Sequence, residues 1–142
     1  MSISPYLMAI VLGWIVAQGM KYLIVVVRTN DFGNLRQLYL SGNMPSAHTS
    51  TTVALLTVIG LRNGVESGLF GVAALFTAVV AYDAVMVRRS VGEQGEALQT
   101  LIRKDDKTAI LPRAAKGHQP IEVVVGAVVG GIVGAVVFFA TN

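Results

Sequence analysis

Cysteine is absent, so disulfides and cysteine-ligated metals are excluded, and the fold must be held by packing alone. Charge is scarce too: Asp, Glu, Lys and Arg make up 13% of 142 residues, against roughly a quarter in soluble domains, so water is not the main solvent. No basic stripe is interleaved with aromatics, and the net charge is only +3, which argues against a nucleic-acid partner. The length suits a single domain over residues 1–142. Histidine is the other rarity. There are two, His48 and His118, and each stands at the start of a long apolar segment.

What is present in quantity is apolar sequence, 54% of the chain. Ser4 to Val27 reads as a first membrane helix, long enough at about 1.5 Å per residue to cross a hydrocarbon core of roughly 30 Å. It is expected to be an uncleaved span and not a signal peptide, because no Lys or Arg precedes the apolar run. A polar connection, Arg28 to Asn43, leads to a second span from Pro45 or Ser46 to about Leu61, with proline at its first position, where the missing N–H costs nothing. A third runs from about Val65 to Val87 and closes on Arg88-Arg89. Within the polar stretch Ser90 to Gly117, the spacing of Ala97, Leu98, Leu101 and Ile102 suggests a short amphipathic helix on the membrane surface. Pro120 to about Ala140 is the fourth span. The expected architecture is therefore all-α: an integral membrane bundle of four transmembrane helices with a short amphipathic surface helix.

Such a bundle has unequal ends. Nine of the eleven Lys and Arg fall on the side of the two polar loops, with Lys21 inside the first span and Arg62 on the other side. The positive-inside rule then places the busy side in the cytoplasm, in the cytoplasmic membrane. Four helix ends meet there. Lys21 and Arg28 are seven residues apart and share one face of the first helix. Ser46 and His48 open the second, Tyr82, Asp83, Arg88 and Arg89 close the third, and His118 and Glu122 open the fourth. Cations beside helix N-termini describe a phosphate site, since free N–H groups and the positive end of the helix dipole favour an anion. His118 and Glu122, four apart, are expected one turn from each other on one helix face, the carboxylate fixing the tautomer of a nucleophilic imidazole. His48 is then the proton donor to the leaving oxygen.

These residues also resemble a known family. Lys21 and Arg28 enclose six residues, Pro45-Ser46-Ala47-His48 follows, and His118 precedes an acidic residue by four, with Val123, Gly126 and Gly130 beyond. The pattern is similar to the three-part signature of the phosphatidic acid phosphatase type 2 superfamily, which includes vanadium haloperoxidases, and the segment Tyr82 to Arg89 looks like its divergent membrane branch. The resemblance implies a metal-independent phosphatase, without a cofactor, working through a phosphohistidine. It implies that Lys21 and Arg28 bind phosphate, that Ser46 and the Ala47 N–H donate to it, that His48 is the acid, His118 the nucleophile and Glu122 its orienting carboxylate. Thr29, Ala47 and Glu122 stand where the family usually has proline, glycine and aspartate. The usual Ser-Arg pair before the nucleophile is replaced by Leu111 and Pro112. Arg88, then Arg89, is the preferred substitute because a helix end positions a ligand more rigidly than a loop; Arg113 and Lys116 are the loop alternatives.

Each residue has a plainer role beside the chemical one. Arg28 can snorkel from a helix end, Asp83 can pair structurally with Lys21 or an arginine, and Ser46 can serve only as a helix cap. Gly126, Gly130 and Gly134 form a small-residue stripe suited to close packing inside the bundle or to a homodimer. The expected partners are the bilayer and a lipid phosphate substrate, a monoester or diphosphate whose tail stays in the membrane. Two rivals use the same features differently: a non-catalytic protein that binds or moves lipid phosphates needs the cations but not His118, and a structural membrane subunit needs neither histidine.

Overall fold

A computed structural model describes residues 3–30, 44–106, 108–111, 117 and 119–142. The described chain is helical: α1 (Pro5–Thr29), α2 (Ala47–Asn63), α3 (Gly68–Tyr82), a π-helical turn (Asp83–Val87), α4 (Arg88–Asp105) and α5 (Pro120–Thr141). Among the described residues three stretches are long and apolar enough to cross a membrane: α1, α5 and the continuous 38-residue run Gly68–Asp105. Large apolar side chains such as Leu7, Trp14, Leu75, Val128 and Phe139 face outward, as suits a bundle dissolved in hydrocarbon.

The helices alternate in direction, and bonds at one end show it. Tyr6 near the start of α1 donates to Asn63 Oδ1 at the end of α2 (2.7 Å). Arg62 donates to both the carbonyl and the hydroxyl of Thr141 at the end of α5 (2.6 and 2.9 Å). Gly64 ends α2 with φ of +80°, a conformation open to glycine. Ser67 then caps α3 by accepting from the Phe70 N–H. The opposite end holds the exit of α1 and the entries of α2 and α5.

α2 differs from the expected spans. It has 17 residues, about 25 Å of helix, and contains Thr49, Ser50, Thr51, Thr52 and Thr57. It can be this polar because α1, α3 and α5 all pack against it. Its hydroxyls find partners inside the bundle: Thr51 and Thr57 donate to carbonyls four residues back (2.8 Å each) and Ser50 to the Gly13 carbonyl of α1 (3.1 Å). Thr49 and Thr52 are likewise bonded, to the Ser46 hydroxyl and the Thr49 carbonyl, which matters in hydrocarbon, where an unmatched donor is costly. Its first turn also starts later than expected. Ser46, not a residue inside the helix, is the N-cap, and Pro45 precedes it through a cis peptide bond with Met44.

The seam between α2 and α5 is the closest in the fold. A methyl group added at Gly126, Gly130 or Gly134 would run into the carbonyl oxygens of Ser46, Ser50 and Ala54 respectively. The three glycines recur every four residues, so they form one ridge and let the backbones touch. Of the two uses of the stripe, packing within the bundle is the one seen here. α1 approaches through Ala9, Gly13 and Ala17, also four apart and buried.

The third span does not stop at Arg88-Arg89. α3, the π turn and α4 form one helix of 38 residues, about 57 Å long, and the amphipathic segment is its far end, not a separate helix beginning near Gly92. Charge marks where a helix leaves hydrocarbon, but only a cap, glycine conformation or proline ends it. Residues 88–105 are rich in helix formers and hold no proline. α4 ends at Asp106, whose carboxylate accepts from the N–H and hydroxyl of Thr108 (2.8 and 2.6 Å). Those bonds hold the Asp106 carboxyl below the usual carboxylate range.

The glycine ridge makes a paired prediction. Gly130→Ala should lower stability by about 1–3 kcal/mol, the usual cost of overpacking. Gly131→Ala, where nothing lies within 4 Å of the added methyl, should be neutral or stabilise by up to about 1 kcal/mol. Thermal unfolding of both variants in the same detergent checks the pair, and equal midpoints would contradict the seam.

Candidate functional site

Lys21 continues the inward stripe Ala9, Gly13, Ala17 of α1 and is itself buried, 5% exposed. It is therefore directed into the bundle and does not snorkel to the surface. Two turns on, Arg28 is exposed at the helix exit. Ser46 is fully buried. Its N–H donates to the Glu122 carbonyl (3.0 Å), and its hydroxyl accepts from the Thr49 N–H (3.4 Å) and bonds the Thr49 hydroxyl (3.0 Å). Both polar groups of Ser46 thus join α2 to α5 and cap α2. Ala47, first in the helix, is buried beside it.

The start of α5 is set by its own sequence. Gln119 is the N-cap and Pro120 the first helical residue. The cause is local: a residue before proline is pushed out of the helical region, and Gln119 has ψ of 149°. The Glu122 carboxylate turns back to accept from the Gln119 N–H (3.0 Å), completing a capping box. His118, the expected nucleophile, lies outside the described residues, as do Arg113 and Lys116.

His48 stands on a different side of α2 from the one expected. At 100° per residue it is turned about 160° from Ser46 and Ser50, the residues whose carbonyls meet α5, and it is exposed while Ala47 and Thr49 on either side are buried. The two helix entries therefore meet through Ser46 and Glu122, with His48 directed away from that seam.

Asp83 pairs with Arg88, not with Lys21. The Arg88 Nε lies 2.7 Å from Asp83 Oδ2, and the Arg88 backbone N–H bonds the Asp83 carbonyl. Residues five apart cannot meet on an α-helix, and the wider π turn is what stacks them. Tyr82 is exposed, 62%, and faces outward. Arg89 is differently placed. It bonds Glu93 (3.1 Å), and its backbone is so close to Gly117 that no Cβ would fit there. This sets Gly117 against the first turn of α4.

Two cavities flank the α5 entry. One, about 430 Å³, lies between α1 and α5 and is walled by Ile24, Arg28, Met44, Gln119, Ile121 and Glu122. The other, about 610 Å³, lies between α4 and α5 and is walled by Arg89, Glu93, Glu96, Gly117, Gln119 and Ile121. Both fall in the ~300–1,000 Å³ range of small-molecule sites. Gln119 and Ile121 divide them, and each holds one arginine, Arg28 or Arg89. Arg88 lines neither. Gln119 was not singled out by sequence, although proline at the first helical position followed by glutamate two residues later is a helix-start signal.

A family profile described as "Divergent PAP2 family" matches residues 3–133. An uncharacterized membrane protein of Bacillus subtilis (strain 168), YuiD, is 36% identical over 105 residues, which cover 63% of this chain and 66% of that protein. The match thus spans just under two thirds of the relative. No solved structure matches.

The capping box gives Glu122 a structural role that can be measured without substrate. Glu122→Ala should cost about 1 kcal/mol of stability by removing the cap and a carboxylate near the helix N-terminus. Glu122→Gln, whose carbonyl oxygen still accepts from the Gln119 N–H, should keep most of it. Thermal unfolding separates the two, and equal losses would count against the cap.

Proposed function

The chain belongs to the divergent PAP2 family, and from that membership we propose that it is a metal-independent lipid phosphatase acting at the membrane surface. The observation that carries the proposal is the pair of cavities meeting at Gln119, each with an arginine, at the polar end of a membrane bundle. Arg28 holds the phosphate on the α1 side and Arg89 on the α4 side, with the buried Lys21 adding positive potential from below. Both arginines pair with a carboxylate, Arg88 with Asp83 and Arg89 with Glu93, but Arg89 lines a cavity and Arg88 lines neither, so Arg89 takes the place of the missing third-motif arginine.

The chemistry proceeds in two displacements. A ring nitrogen of His118 attacks phosphorus, the ester oxygen leaves with a proton supplied by His48, and the lipid alcohol returns to the bilayer. Water then attacks the phosphohistidine, giving its proton to His48, and inorganic phosphate departs. A diphosphate substrate follows the same course with a lipid monophosphate as leaving group. Fixed cations favour this because phosphate ester hydrolysis is slow unless developing charge is stabilised. Glu122 supports the site by fixing the turn before α5. The excess of cations in the loops at this end supports a cytoplasmic orientation.

A second reading, binding or moving lipid phosphates without hydrolysis, is favoured by the outward placement of His48. One assay decides between them. Purified protein in detergent is offered phosphatidate, phosphatidylglycerophosphate and a prenyl diphosphate, with vanadate, with EDTA, and with the variants. Hydrolysis predicts phosphate release that resists EDTA and is blocked by vanadate. His118→Ala should lower kcat at least ~10³-fold, and Arg89→Ala should lower kcat/KM by about 10²-fold or more. Arg88→Ala should change it only a few-fold. Phosphate binding without release supports the second reading, and a need for added divalent metal contradicts the mechanism.

Orientation has its own test, made simple by the lack of native cysteine. Thr100→Cys on α4 should be labelled by an impermeant maleimide only after the cytoplasmic face is opened, and Glu66→Cys should be labelled in intact cells. The reverse pattern would place the site outside.

A further inference from the structure

The cavity holding Arg28 does not end at the polar surface. On the outer face of α1 a shallow groove of about 240 Å³ is lined by Leu23, Ile24, Val27 and the apolar stem of Arg28. Ile24 and Arg28, one helical turn apart, also wall the polar cavity between α1 and α5. The same two residues therefore border an apolar track on one side and a phosphate-sized polar space on the other. Leu23 and Val27 are 61% and 81% exposed, so the track opens outward to hydrocarbon.

The second cavity has no such neighbour. Its walls carry Arg89, Glu93 and Glu96 on the charged stretch of α4, which suits water and a departing anion and repels an acyl chain. The two openings of the site thus differ in solvent. Arg28 marks the boundary on the apolar side, and among the described residues no carboxylate lies within salt-bridge distance of it.

We propose that the Leu23, Ile24 and Val27 groove is the chain-binding track of the substrate: one hydrocarbon chain of a lipid phosphate lies along α1 while its phosphate passes Arg28 into the cavity beside Gln119 and Glu122. The substrate is therefore a lipid phosphate that enters sideways from the bilayer, not a soluble phosphate ester arriving from water. This rests on the proposal that the polar cavity receives a lipid phosphate, and the contribution of the track is contact area with the chain.

The test uses the full chain in phosphatidylcholine nanodiscs carrying a trace of phosphatidate with a diazirine in one acyl chain. A parallel sample carries phosphatidylcholine with the same diazirine. After irradiation, adducts are mapped by mass spectrometry. The phosphatidate probe should label residues 23–28 several-fold more than the phosphatidylcholine probe, and Arg28→Gln should remove the excess. Equal labelling by both probes overturns the proposal, since it means ordinary boundary lipid. A kinetic arm fills the groove with Leu23→Trp and Val27→Trp, at exposed positions that carry no part of the fold. KM for a long-chain phosphatidate should rise about tenfold and that for dihexanoyl phosphatidate should stay within about twofold; equal changes for both overturn the proposal. The labelling excess without phosphate release leaves the track standing and removes hydrolysis. Release without the excess does the reverse.

Discussion

Contact between the backbones of α2 and α5 is the constraint on which the other features depend. Gly126, Gly130 and Gly134 present no side chain to α2, so the carbonyls of Ser46, Ser50 and Ala54 lie against the α5 backbone itself. With hydrocarbon as solvent, apolar burial does little to join helices, and close van der Waals packing must do so. That closeness brings the Ser46 N–H onto the Glu122 carbonyl and sets the two helix entries side by side. It also encloses α2, and enclosure is what permits a helix so rich in hydroxyls to exist inside a membrane bundle.

Parts of this were legible in the amino-acid sequence for simple reasons. α1 and α5 follow long apolar runs begun by Pro5 and Pro120, and their observed limits fall within two residues of those expected. The chain also carries its cations at one end, which the helix order turns into a polar pole. Other features were hidden. Arg88-Arg89 marked a change of solvent, and taking it as a helix end divided one long helix in two. Asp83 and Arg88 are five residues apart, a spacing that matters only where the helix widens, and nothing in the local composition announces a π turn.

The site shows the same division. The inward placement of Lys21 follows from its register with Ala9, Gly13 and Ala17, a four-residue spacing visible without coordinates. The bond from the Gln119 N–H to Glu122 was hidden because spacing was counted across Pro120, where the residue before proline leaves the helix. His48 was grouped with Ser46 by nearness in the chain, although two residues on a helix point nearly opposite ways. Gln119 drew no attention since a glutamine has no titratable group, yet it divides the two cavities.

Because α2 and α5 meet through main chain at three glycines, they pack as the stiffest pair in the bundle. α1 meets that pair through small side chains, and α4 comes close to it where Gly117 lies against Arg89. The compliance of the molecule is thus unevenly shared. Any breathing of the polar end is then expected at the exit of α1 and the first turns of α4, where packing is looser. The walls bearing Arg28 and Arg89 would yield before the floor between them.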